Sequence, residues 1–149
     1  MRAVVQRVTE AGVTVEKETV GKIGPGMMVL IGVSKEDTDK DLKYIVDKVM
    51  NLRIYDDENG VMNRSVLDVG GSILAVSQFT LYGDARGGRR PSYFTAAAPE
   101  PANEMYERAV AAWRKNGIHV ETGRFRTEMK VSLINDGPVT ILLDSEKKF

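Results

Sequence analysis

Residues 2–33 read RAVVQRVTEAGVTVEKETVGKIGPGMMVLIGV, and this stretch decides the fold class. Val4, Gln6 and Val8 alternate with Val5, Arg7 and Thr9, and Val13-Thr14-Val15 and Thr19-Val20-Gly21-Lys22-Ile23 keep the same two-residue period. A pleated strand with one buried face requires that alternation. The segment therefore predicts consecutive short strands with turns at Gly12 and near Lys17. Gly24-Pro25-Gly26 is a turn, because proline presets φ and glycine tolerates positive φ. It leads into the continuous apolar run Met27 to Val33, which predicts a strand buried on both faces.

Composition points the same way. Val and Ile together supply 26 residues against 9 Leu, an excess of β-branched side chains that suits sheet more than helix bundles. At 149 residues the chain has the size of one globular domain, spanning 1–149. With no Cys there is no disulfide framework, thiolate nucleophile or Cys-ligated zinc, and a cytoplasmic location is expected. The N-terminal residues lack the apolar core of a signal peptide, and no apolar run approaches a membrane span, so no membrane partner is expected. Lys+Arg and Asp+Glu both number 21, so no global field draws the chain to phosphate, and any RNA contact must be local.

Thr38 followed by Asp41 approximates a capping box, and Leu42, Ile45, Val46 and Val49 fall on one helical face, predicting a helix over about Asp39 to Asn51. Arg53-Ile54-Tyr55 reads as a short strand and Asp56-Asp57-Glu58-Asn59-Gly60 as its turn, since the acids lack the alternate spacing of a calcium loop. A second helix opens after Ala96-Ala97-Ala98-Pro99, carries Met105, Tyr106, Ala109, Val110 and Trp113 on one stripe, and stops at Asn116-Gly117. Further strands are expected at Ile73–Val76, Ile118–Glu121, Lys130–Ile134 and Val139–Leu143. The class is α+β, rich in β.

Catalytic chemistry is scarce. A hydroxyl nucleophile needs a positioned base, and the single His, His119, sits on the polar face of its strand. No cofactor and no His/Cys metal centre is expected, while a carboxylate magnesium site stays open. Three segments break the pattern of a plain packed core. Ser77-Gln78-Phe79-Thr80 either continues its strand to Tyr82 with polar residues outward, or ends it and frees backbone N–H groups to stabilise an oxyanion. Asn135-Asp136-Gly137-Pro138-Val139-Thr140 is either an Asp-Gly hairpin turn or a corner that blocks space near a ligand, the proline removing a ladder donor. Arg86, Arg89 and Arg90 beside Tyr93 and Phe94 form either a solvated loop or a site for phosphate contact and base stacking.

These same segments carry a resemblance. Met1-Arg2-Ala3-Val4-Val5-Gln6-Arg7-Val8, Ser65 to Gly71, Ser77-Gln78-Phe79-Thr80-Leu81-Tyr82, Gly88-Arg89-Arg90-Pro91-Ser92, Thr122-Gly123-Arg124-Phe125 and Asn135 to Thr140 together make the chain similar to the D-aminoacyl-tRNA deacylase, or D-tyrosyl-tRNA deacylase, family. The resemblance implies a barrel-like β-sheet core with two main helices, in a homodimer with active sites at the subunit interface. It implies hydrolysis of the ester joining a D-amino acid to the 3′-terminal adenosine of tRNA, and of glycyl-tRNA mischarged on tRNA-Ala. It further implies that Ser77, Gln78, Phe79 and Thr80 line the reacting carbonyl. Gly137-Pro138 would be a cis dipeptide that excludes L-amino acids from the partner's pocket, Phe125 and Met129 would flank the substrate, and Asn135 and Thr140 would brace the corner. Two other readings remain at this stage: the same fold with Thr80 or Ser77 as a covalent nucleophile, and a non-enzymatic RNA-binding module.

Overall fold

The computed structural model describes residues 1–149. Its elements follow as β1 (Arg2–Val15), β2 (Glu18–Ile23), β3 (Gly26–Gly32), α1 (Asp39–Asn51), β4 (Tyr55–Asp56), β5 (Met62–Arg64), α2 (Val66–Val69), β6 (Ser72–Ser77), a 3-10 turn (Phe79–Tyr82), α3 (Pro99–Lys115), β7 (Val120–Thr122) and β8 (Lys130–Asp144). The main sheet runs β2-β1-β3-β6-β7, with β8 paired to β1 as well. It curls into a nearly closed barrel, because Gly21 on β2 meets the Thr122 carbonyl on β7 so closely that any Cβ there would collide with it. The α+β, β-rich expectation holds, with two main helices. No helix is long and apolar enough to cross a membrane.

β3 is central, antiparallel to β1 and parallel to β6. Its alternate side chains enter two different cores. Met27, Val29 and Ile31 pack with α1 and α3 in a cluster of 25 buried residues, whereas Met28 joins Val8, Val13, Leu74 and Val76 in a cluster of 8 inside the barrel. A strand covered on both sides has no position left for a polar residue, which explains the unbroken run Met27 to Val33.

The predicted turn at Gly12 does not form. β1 runs through it, with Gly12 opposite Lys22 on β2 and Ser132 on β8. A bulge after Val8 replaces the turn: β1 advances from Val8 to Glu10 while β8 moves only from Asn135 to Ile134. One extra residue reverses the alternation. Ala3 and Val5 accordingly face the helices, whereas Ala11, Val13 and Val15 face the barrel interior. A second irregularity on the same pair ejects more chain. From Gln6 to Val8, β1 takes two steps while β8 takes five, from Thr140 to Asn135. Residues 136–139 therefore leave the ladder opposite Arg7, and β8 resumes in the same direction. Asp136-Gly137 is not a hairpin turn; both flanking runs belong to one strand, and the Gly137-Pro138 peptide is cis.

α1 begins and ends where the sequence predicts, with the Asp41 carboxylate accepting from Thr38 N–H at 2.9 Å. α3 is pinned at both of its buried polar atoms. Tyr106 Oη donates to the Ala75 carbonyl at 2.7 Å, and Trp113 Nε1 donates to the Val46 carbonyl at 3.1 Å. The second bond joins the two main helices, and Trp113 is fully buried. Replacing it with Ala removes the ring and orphans that carbonyl, so Trp113→Ala should lower unfolding free energy by about 3–5 kcal/mol. Denaturant titration checks this, and a loss under about 1 kcal/mol would contradict the packing described.

Candidate functional site

β6 delivers the site. It ends at Ser77: the Gln78 N–H makes the last bond to β3, donating to the Ile31 carbonyl at 2.7 Å, and residues 79–82 then coil into the 3-10 turn closed by Gly83 N–H on the Thr80 carbonyl at 2.9 Å. Strand continuation to Tyr82 is thereby excluded. The turn sits close to β3, where a Cβ on Gly32 would press on Leu81 Cβ at 2.9 Å. Arg2 fastens it further: its guanidinium lies 4.6 Å from the Tyr82 ring centre, donates to the Leu81 carbonyl at 3.0 Å and pairs with the buried Asp144 at 3.3 Å. Tyr82 is consequently buried, while Phe79 projects outward, 56% exposed. The leading amides of a helical turn have no partner within it, so Phe79 and Thr80 N–H stand as donors at the strand end.

A cleft of about 670 Å³ opens beside this end. Ser77, Gln78 and Phe79 form one wall; Phe125, Arg126, Thr127 and Met129 form another. Tyr93, Ala96, Ala97 and Pro99 close the third side, with the Tyr93 ring edge-on to Phe79 at 5.1 Å. Of the expected residues, Ser77, Gln78, Phe79, Phe125 and Met129 are brought together here. Thr80 is adjacent but does not line the cleft, and its hydroxyl accepts a hydrogen bond from Gln78 Nε2. Arg126 and Thr127 were missed. They carry no periodic signal, since Arg126 adopts a left-handed φ of 60° in a loop. His119 stays on the surface, 65% exposed, 3.0 Å from Glu121. Nowhere do three or more His, Cys, Asp or Glu side chains converge as they would around a metal ion.

Gly137 and Pro138 are exposed and do not line this cleft. Register measures the gap. Arg7, opposite the corner, pairs with Met27 and through it with Ile73, four residues before Ser77. That is roughly 13 Å along the strands, plus three strand spacings of about 4.8 Å across them. The corner is held from behind. Asn135 Nδ2 donates to the Arg7 and Val139 carbonyls, both at 2.9 Å, and Asn135 Oδ1 accepts from Val139 N–H at 3.2 Å. Arg7 Nε donates to the Asp136 carbonyl at 2.7 Å and Nη1 to the Ile54 carbonyl at 2.6 Å. Thr140 contributes one bond, accepted from Gln6 Nε2 at 3.2 Å. Burial raises the Tyr55 hydroxyl pKa behind the corner, against the opposing pull of Arg7.

The basic loop leads from the 3-10 turn to Tyr93. Asp84 holds Arg86 through bonds of 2.9 and 2.7 Å, and that contact keeps the Asp84 carboxyl far below its ordinary range. Arg89 and Arg90 are exposed.

Residues 4–144 match the family described as D-Tyr-tRNA(Tyr) deacylase. The D-aminoacyl-tRNA deacylase of Desulfitobacterium hafniense is 62% identical over 149 residues, covering 100% of both chains. The solved c-Myc DNA unwinding element binding protein superposes with a TM-score of 0.91 at 43% identity, over 97% of this chain and 98% of that one. A probable eukaryotic D-amino acid tRNA deacylase shares the fold, with a TM-score of 0.81 at 18% identity over 95% of this chain and 97% of the other.

The corner's bracing makes a stability prediction. Asn135→Ala leaves three backbone partners unsatisfied and should lower unfolding free energy by about 1–3 kcal/mol. Thr140→Val removes one exposed bond and should lower it by under about 1 kcal/mol. The reverse order in thermal or denaturant unfolding would refute the assignment of Asn135 as the main brace.

Proposed function

The chain belongs to the D-Tyr-tRNA(Tyr) deacylase family, and on that premise we propose that its cleft hydrolyses the ester linking a D-amino acid to the 3′-terminal adenosine of tRNA through main-chain donors. The observation that carries this reading is the end of β6, where an apolar strand breaks at Ser77 and sets the Phe79 and Thr80 amides beside a cleft without a His or carboxylate wall. An aminoacyl ester is already activated, so a hydrolase for it does not need a strong base. One oxyanion donor in a known hydrolase is worth about 2.7–4 kcal/mol. Positioning the ester supplies more, and the neighbouring ribose hydroxyl of the substrate can orient the attacking water. Phe125 and Met129 would flank the terminal adenosine and the aminoacyl group.

Handedness is read by exclusion in this proposal. Exchanging the hand of an amino acid swaps its side chain with the Cα hydrogen, so a wall at one position rejects one hand. The ejected Gly137-Pro138 segment would be that wall. It stands too far along the sheet to serve its own cleft, so a second copy of the chain would supply it, in a homodimer whose two sites complete each other. Glycine has no side chain to exclude, and glycyl-tRNA mischarged on tRNA-Ala would be cleaved as well. Arg89 and Arg90, with Arg86 less available because of Asp84, would contact the tRNA body in the cytoplasm.

Release of tyrosine from D-tyrosyl-tRNA and L-tyrosyl-tRNA tests the reading. Cleavage of the D-ester should exceed that of the L-ester by orders of magnitude, and equal rates would defeat the proposal. Thr80→Ala separates main-chain catalysis from a covalent route. The variant should keep most of the wild-type kcat, whereas loss of turnover together with an acyl adduct on wild-type Thr80 would establish the nucleophile instead.

A further inference from the structure

Thr127 and Met129 line the cleft and also line a second hollow of about 820 Å³, so the two adjoin at these residues. The hollow is bounded by the β1–β2 turn and the segment entering β8, and Lys17, Arg124 and Lys130 stand around it. Glu16 and Lys17 form the turn with φ of 47° and 69°. A tight hairpin turn that follows strand twist takes such left-handed values, and they put Lys17 at the tip rather than in the sheet.

Of the 21 Lys and Arg side chains, seven lie within salt-bridge distance of a carboxylate and fourteen do not. Arg2, Arg7, Arg64, Arg86 and Arg108 each have a carboxylate partner within salt-bridge distance. Lys17, Arg124 and Lys130 have none, although Glu16 and Glu128 share the walls. The hollow is thus net positive on a chain whose net charge is zero. A hollow lined by unpaired cations and adjoining a cleft with an aromatic wall is an arrangement that suits a single-stranded nucleic-acid backbone.

We infer that the hollow is a phosphate track: the sugar–phosphate backbone of the unpaired 3′ end, with its terminal adenosine in the cleft, runs past Lys17, Arg124 and Lys130. The inference rests on the deacylase reading and deepens it by assigning the route of the substrate's backbone. Arg86 is a weaker candidate for that route, since Asp84 occupies its guanidinium through two bonds.

The test compares D-tyrosyl-tRNA with D-tyrosyl-adenosine, which carries the same ester and no phosphate. For the triple variant Lys17→Gln, Arg124→Gln, Lys130→Gln, cleavage of D-tyrosyl-adenosine should match wild type. With D-tyrosyl-tRNA, the slope of log kcat/KM against log salt should become shallower by about 2, at about 0.7 per single-strand phosphate contact. Between about 50 and 200 mM salt, wild type should therefore lose about 16-fold more than the variant. An unchanged slope, an equal loss on both substrates, or transfer of the effect to Arg89→Gln, Arg90→Gln would overturn the track. If wild-type protein cleaved neither substrate, the reading of the reaction itself would fall; normal cleavage with an unchanged slope removes the track alone.

Discussion

β1 is hydrogen-bonded on both edges over nearly its whole length, and the rest of the structure depends on that constraint. One edge carries β3 along Arg2–Val8 and then β2 along Ala11–Val15, while the other carries β8. A strand gripped on both sides cannot slip to absorb a mismatch. The mismatch is absorbed locally instead, by a bulge in β1 after Val8 and by four residues pushed out of β8 opposite Arg7. The bulge turns Ala11, Val13 and Val15 into the barrel after Ala3 and Val5 have faced the helices. The ejection creates the Gly137-Pro138 corner. Asn135 then satisfies the backbone groups that the broken ladder leaves behind, and Arg7 caps the Asp136 carbonyl.

The other end of the sheet solves a different problem. β6, like β3, runs between the two cores, so its end is where buried backbone meets open space. Arg2 links the 3-10 turn there to Asp144 at the end of β8, tying the first residues of the chain to the last strand. The polar equipment of the cleft is mostly main chain and uncharged side chains, with Arg126 the one ionised group in its walls. Such a site has little to titrate near neutral pH. Donors fixed by a sheet need no reorganisation when charge develops, which is the physical basis of electrostatic stabilisation in a preorganised site.

Much of this architecture was legible from residue pattern. The two-sided burial of β3 followed from its unbroken apolar run, and both main helices from their stripes and end signals. α2 went unread although Ser65 and Asp68 form a capping box, because four residues show no periodicity. Gly12 misled, and Asp136-Gly137 left a hairpin turn and a corner both open, for one reason. Both carry turn-type residues, and turn chemistry is a local preference that long-range pairing overrides when the flanking strands are already held by a shared neighbour. For the site, the motif segments named Ser77, Gln78, Phe79, Phe125 and Met129, which do converge, but nothing local marked Arg126 or Thr127.

By itself the sequence determined that the chain is β-rich, where its helices start and stop, that it lacks thiol and multi-histidine chemistry, and which short segments depart from plain packing. These are matters of composition and of neighbours within one turn or one pleat. Only the tertiary structure decided that residues 130–144 form one strand, that the corner is ejected rather than folded back, and that residues 77–79 and 125–129 share a cleft with the corner outside it. Those outcomes depend on register against β1, a partner more than a hundred residues away in sequence, and a window of local sequence carries no record of that pairing.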